Sequence, residues 1–282
     1  MGFKTMLVRM RDILVEPLQA PLDRMESSAA RSRLANIANE ERYADPKCLT
    51  RRGYRCFSQF DEDGLIDETF RRIGTTSRSF VEFGVGDGLE NNTFALLLAG
   101  WSGLWIEADP AQQERIRSGF AVPLETRQLT LAGEFVTAEN IEALLARGGM
   151  PEEPDLASID IDGNDYWVWK AMRRFRPRVV VIEYNASLGR TASVVRPYDP
   201  RACWDGSSGT GASLSALEAL GRDKGYSLVG CTIAGVNAFF VRSDLVGSRF
   251  LEPFTAEMHY EPPRFGSPLA GHPPRWARFD PA

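Results

Sequence analysis

Glycines fall at every second position in Gly84-Val85-Gly86-Asp87-Gly88, directly after the short apolar run Ser79-Phe80-Val81-Glu82-Phe83. A residue without a Cβ turns tightly and lets another molecule lie against bare backbone. Asn91, Asn92 and Thr93 then open an apolar helical pattern, Phe94 to Leu98, whose first amides would face whatever the turn holds. A second strand-like run, Gly103 to Glu107, also ends in an acid, 25 residues beyond Glu82. An acid about 20 residues past a glycine-rich strand–helix turn is placed to hold the two hydroxyls of a ribose. Together the two elements predict a site for a nucleoside-bearing cofactor.

The spacing bears on which cofactor. A dinucleotide site needs G-x-G-x-x-G with a pyrophosphate on the helix N-terminus. Here the pattern is E-x-G-x-G-x-G, and the carboxylate of Glu82 repels a diphosphate while it suits an amine or a sulfonium. That favours S-adenosylmethionine over NAD. The candidate cofactor residues are Glu82, Gly84, Gly86, Gly88, Asn92, Glu107, Ala108 and Asp160.

At this point the chain resembles the class I S-adenosylmethionine-dependent methyltransferases, and within them the FkbM-like branch. The resemblance covers roughly residues 54–245. It rests on Ser58-Gln59-Phe60-Asp61-Glu62-Asp63-Gly64, on the Glu82 to Thr93 block, on Ile159-Asp160-Ile161-Asp162-Gly163-Asn164-Asp165 and on Ile182-Glu183-Tyr184-Asn185. It implies an α/β fold: a Rossmann-like sheet, mostly parallel with an antiparallel C-terminal strand, with helices on both faces. It also implies a cofactor contact for Gln59 and O-methylation of sugars, in glycans or glycosylated natural products.

Composition narrows the classes. A net charge of −5 gives no electrostatic encouragement to a nucleic-acid partner. Cys48, Cys56, Cys203 and Cys231 include no C-x-x-C pair and there are two histidines, which excludes a zinc finger and argues against a disulfide framework. With no run of 18 apolar residues and no signal-peptide pattern, the expectation is a cytoplasmic protein without a transmembrane segment. Residues 1–53 carry more Lys and Arg than Asp and Glu, with Met6, Met10, Ile13 and Leu14 at helical spacing before Pro17 and Pro21. They read as an N-terminal helical extension, a lid or a homo-oligomerisation arm. Residues 54–245 read as the catalytic domain and 246–282 as a tail packing on it.

From Tyr54 onward the pattern alternates. Helices are expected over Gln59 to Ile73 (N-cap Ser58, with Asp61 in the acidic capping place), Thr93 to Ala99, Ala111 to Phe120, Thr137 to Arg147, Tyr166 to Phe175 and Leu214 to Lys224. Strands are expected at Ser79 to Phe83, Leu104 to Glu107, within Glu125 to Leu131, and at Leu156 to Ile161, Arg178 to Tyr184, Tyr226 to Thr232 and Ala238 to Arg242. Such alternation means parallel strands with right-handed crossovers, closed here by a hairpin.

Chemistry in such sheets sits at the carboxyl ends of the strands. Asp160 and Asp162, two positions apart, share a face of an extended strand, and Glu183 and Asn185 repeat the arrangement on the next. Asp162, Glu183 and Asn185 form an oxygen set suited to Mg²⁺ or another divalent cation. The bland alternative is that the Asp pair caps the following helix. The base that takes the acceptor's proton is expected at Asp162 or Asp165, with His259 the choice if the tail folds over the site. The long segment Tyr184 to Gly211, with Arg190, Tyr198, Trp204 and Asp205, suits a glycan or other small polyhydroxylated acceptor. Two other classes stay open on these grounds: a non-catalytic scaffold with this fold, and a nucleotide-dependent oxidoreductase.

Overall fold

A computed structural model describes residues 32–34, 36–265, 271–275 and 277–282. The amphipathic pattern at Met6 to Leu14 lies outside the described residues. The chain divides into two compact units, Met1–Glu41 and Arg42–Ala282. In the first, residues 32–34 and 36–38 are helical; the second holds the sheet.

The sheet grows from five strands that read as expected. They are β1 (Ser79–Phe83), β2 (Ser102–Ile106), β3 (Leu129–Ala132), β4 (Leu156–Ile159) and β5 (Val179–Glu183). β1 pairs in parallel with β2 and β4, β2 with β3, and β4 with β5. A short strand β6 (Val194–Val195) pairs with the chain's last strand, β9 (Asp280–Pro281). The hairpin β7 (Tyr226–Cys231) and β8 (Asn237–Arg242) completes the main sheet, with β8 antiparallel to β5. The order is β3-β2-β1-β4-β5-β8-β7. It reverses direction between β1 and β4, which opens a crevice at the carboxyl ends of those two strands.

Both faces are buried, as parallel strands require. Val81 and Phe83 of β1 and Val180 and Ile182 of β5 face one core with α5 (Ile141–Arg147), α6 (Asp165–Ala171) and α7 (Leu214–Asp223). Phe80, Val179 and Val181 face the other, with α1 (Glu62–Ile73), α2 (Phe94–Leu98) and α3 (Pro110–Gly119). Trp169 of α6 sits at 4.8 Å from the ring of Phe240 and 5.7 Å from Tyr226. A side chain of that size, fully buried, contributes about 2–3 kcal/mol through apolar burial. Thus the mostly parallel sheet, the antiparallel finish and the two helical layers agree with the expected fold.

Local boundaries differ where side chains capture backbone. Ser58 does not cap a helix starting at Gln59, since α1 begins at Glu62. Instead Asp63 accepts the amides of Cys56, Phe57 and Ser58 and the Ser58 hydroxyl, all at 2.7–2.8 Å. Thr137 and Asn140 bond each other's backbone, so α5 starts at Ile141 rather than Thr137. A short helix, α4 (Ala121–Glu125), takes the start of the stretch read as β3.

One buried ion pair holds the opposite, amino end of the sheet. Asp155 accepts Thr76 N, Thr76 Oγ1 and Arg78 N, and Arg178 meets it at 2.5 Å while also donating to the Gly74 and Ile73 carbonyls. Removing one partner strands a buried charge. Arg178→Met is therefore expected to lower unfolding free energy by about 3–5 kcal/mol, and the double variant Asp155→Asn/Arg178→Met by less than the single. Urea denaturation of both checks this, and equal losses would contradict it.

Candidate functional site

The glycine turn and Glu107 are physically joined. The amide of Gly86 donates to Glu107 Oε2 at 2.8 Å, and Asp109 N donates to Oε1 at 2.8 Å. Gly84 has φ 71°, and a Cβ there would collide with the Asp160 carbonyl oxygen, so only glycine lets the loops after β1 and β4 pass. Gly86, at φ 58°, has open space where its Cβ would be. A side chain at Gly88 would strike the rings of Trp105 and Phe120, and Gly88 does not line the cavity. The structure gives it a packing reason to be glycine, against the rings of Trp105 and Phe120.

Glu82 is already well supplied. Its oxygens accept Asn92 N at 2.8 Å, Thr93 N at 3.0 Å, Thr93 Oγ1 at 2.5 Å and Ser158 Oγ at 3.3 Å. Burial pushes its carboxyl up to about 7 despite these donors. It borders the cavity, but its donors are protein groups rather than a ligand's ammonium. Asn92 adds a bond from Nδ2 to Ser158 Oγ at 3.0 Å.

The cavity, about 470 Å³, runs along these carboxyl ends. Gln59, Glu82, Gly84, Gly86, Asn92, Glu107, Ala108, Asp160 and Asp162 all border it, so the structure brings together residues the sequence placed far apart. Sequence reasoning missed its outer wall, Glu134, Phe135 and Val136, which follows β3 next to the strand that Glu107 follows. Phe135 is an exposed ring at the entrance, 43% accessible. The available signal was position: a segment leaving a parallel strand beside β2.

The second set of acids is arranged differently from the expectation. β4 ends at Ile159, so Asp160 and Asp162 are not on one extended strand. Asp165 accepts Ile161 N at 2.8 Å and Gly163 N at 2.9 Å, which curls the turn and leaves Asp162 at φ 59°. Asn185 is corrected as a cation ligand. Its Oδ1 accepts Ser187 N at 3.0 Å and its Nδ2 donates to the carbonyls of Ser208 and Thr210. Asp162 is likewise outside the cluster that forms. Ligand oxygens of Asp160, Asp165 and Glu183 come within 4.8 Å of one another.

That crowding explains the protonation. Burial, then Asp165, raises Asp160 well above the carboxylate range; burial, then Asp160, does so for Glu183. Burial brings Asp165 to about 6, its backbone donors opposing. Asn237 pairs in register with Glu183, donates from Nδ2 to Glu62 at 2.9 Å and borders the cavity.

The histidines exchange roles. His259 is corrected as a base for this site: it lines a different cavity, where burial lowers its pKa to about 4. It is His272 that lies within electrostatic reach of Asp162. Its ring packs at 4.5 Å from Trp204 and 4.9 Å from Phe265.

The strand order, the glycine turn and the acid after β2 define a chain with the class I methyltransferase fold. Among solved structures it is similar to the N-terminal domain of EvdMO1 with SAH bound, at 16% identity and TM-score 0.41, over 75% of this chain and 94% of that one. It is also similar to precorrin-6y C5,15-methyltransferase from Geobacter metallireducens GS-15, at 13% identity and TM-score 0.37, over 67% and 90%. A third likeness is to the CcbJ methyltransferase from Streptomyces caelestis, at 12% identity and TM-score 0.39, over 64% and 90%. No family model and no curated protein matches the chain. Among the described residues no helix is long and apolar enough to cross a membrane.

Acids raised by burial bind protons more tightly folded than unfolded, so their stabilising share is full at low pH and lost as pH rises through the folded pKa. For Glu82 that window closes at about 7, and for Asp160 and Glu183 above the carboxylate range. His259 acts oppositely, but only below its ordinary 6.5. The urea midpoint at constant ionic strength is expected to fall between pH 6.5 and about 8. A flat or rising midpoint would contradict it.

Proposed function

We propose that the chain is an S-adenosylmethionine-dependent methyltransferase of the FkbM-like kind, acting on a hydroxyl of a sugar or a glycosylated small molecule. One observation carries the cofactor part. The cavity wall contains the acids Glu82, Glu90, Glu107, Asp109, Glu134, Asp160 and Asp162, of which burial biases Glu82 and Asp160 toward their neutral forms, and no Lys or Arg among the described residues. Each unit charge about 4 Å from a carboxylate is worth about 4 kcal/mol at an effective dielectric of 20, with opposite signs for a diphosphate and a cation. A dinucleotide is thereby disfavoured, and a cationic nucleoside with a ribose for Glu107 fits.

S-adenosylmethionine, when bound, supplies an electrophilic methyl group. The chain's task is to orient the acceptor and take its proton. Glu107 and the open Cα edge of Gly86 would hold the ribose side, Gln59 and Asn92 border the amino-acid side, and Asp160 offers a carboxyl group that burial biases to its neutral form. Asp162, with His272 within electrostatic reach, is the proton acceptor. Asp165, both oxygens engaged by backbone, positions the turn that carries it. Trp204 and the long loop after β5 form the acceptor's side.

A second reading adds a divalent cation such as Mg²⁺, favoured by the approach of Asp160, Asp165 and Glu183. Those three residues, not Asn185, would hold it and lower the acceptor hydroxyl's pKa. Oxygen donors alone suit a hard ion.

Calorimetry with S-adenosylmethionine tests the reading, and absence of binding would leave the scaffold alternative. Thermal protection by NAD(P) would instead favour the oxidoreductase. Glu107→Ala is expected to weaken cofactor binding about 10–100-fold by removing charged hydrogen bonds to the ribose. Asp162→Ala should keep binding while lowering turnover about 100-fold or more on whichever nucleotide sugar or glycan of a panel is methylated. Turnover that persists in EDTA would remove the cation.

A further inference from the structure

We infer that a cavity of about 440 Å³, formed by residues 42–50, Arg190 and the segment Leu251 to Glu261, binds a small oxyanion that carries its own hydroxyl, as inorganic phosphate and α-hydroxy acids do. This site shares no lining residue with the acid-lined cavity and does not rest on the proposed methyl transfer.

Two kinds of unmet demand meet there. His259, 5% accessible on α9 (Ala256–His259), donates one ring N–H to the Leu251 carbonyl. Its Nε2 has no partner among the described residues. Burial keeps the ring neutral, so Nε2 presents a lone pair and calls for a donor. Around it are arginines. Arg42 meets Glu261 Oε1 at 2.8 Å, Arg264 meets Oε2 at 2.7 Å and the Tyr43 hydroxyl donates to Oε2 at 2.7 Å, so one carboxylate already answers two guanidiniums. Arg190 stands over the Tyr260 ring at 5.7 Å and has no carboxylate partner among the described residues. On the wall itself two guanidiniums, Arg42 and Arg190, stand with two carboxylates, Glu261 and Glu257, and Arg190 is the one without an ion pair among the described residues.

A cation fails the arginines, and an apolar ligand fails both demands. A fully deprotonated oxyanion satisfies the arginines and leaves Nε2 orphaned. An oxyanion with an O–H satisfies both, since its charged oxygens accept from guanidinium and its hydroxyl donates to Nε2.

Inorganic phosphate and sulfate are the discriminating probes, because at pH 7 phosphate retains an O–H and sulfate does not. The full chain is titrated with each while the imidazole ¹H–¹⁵N resonances are followed. Only two histidines exist, and His272→Gln assigns them. Phosphate is expected to shift the His259 signals saturably, at a millimolar Kd, with sulfate about 10-fold weaker. Arg190→Ala, at an exposed position, should weaken phosphate about 10-fold, and Glu257→Gln should tighten it. No saturable His259 shift up to about 50 mM phosphate, equal binding of sulfate, or an Arg190→Ala titration matching the parent would each overturn the assignment.

Discussion

The carboxylate of Glu82 is the joint on which the centre of the molecule hangs. It leaves β1, takes the amides that begin α2, and touches β4 through Ser158. Thr93, which donates to it, accepts in turn from Trp105 Nε1 of β2 at 2.8 Å. Three neighbouring strands and the loop over them are thus keyed to one buried acid. A buried carboxylate is tolerable only when its lone pairs are filled, and here four donors fill them. The crevice beside it is consequently preformed: the glycine loop is held on one side by Glu82's contacts and on the other by the Gly86–Glu107 bond.

The two cavities described above differ in charge. The one at the carboxyl ends of the strands gathers acids without a basic side chain among the described residues. The other sets Arg42 and Arg190 with Glu257 and Glu261 around a neutral histidine. The residue after β5 marks the division. Glu183 joins the acid cluster, while Tyr184, next in the chain, donates from its hydroxyl to the Glu261 carbonyl at 2.6 Å. Consecutive residues at this strand end therefore face different groups.

Much of this was legible beforehand. The alternation of β-branched runs with helical patterns specified the parallel sheet, since a strand buried on both faces admits little else. The spacing of Gly84, Gly86 and Glu107 announced the crevice, because those residue types answer local backbone demands. Less legible was anything resting on side-chain direction past a strand's end. Asp160 and Asp162 were taken as companions by the two-residue period, but that period lapses once Asp165 captures the Ile161 and Gly163 amides. Asn185 looked like a ligand and proved to be a brace for the loop at Ser208 and Thr210. His259 and His272 could not be ranked, since their neighbours come from segments distant in the chain.

By itself, then, the sequence determined the class of fold, the place of the glycine turn and the acid after the second strand. All are local or periodic properties, and short-range sterics and hydrophobic patterning enforce them. Tertiary structure alone decided which carboxylates cluster, which histidine lies within electrostatic reach of Asp162, and that Arg42 and Arg190 share a cavity with Glu261 and His259. Those outcomes depend on distances between residues far apart in the chain, and only the packed fold sets such distances.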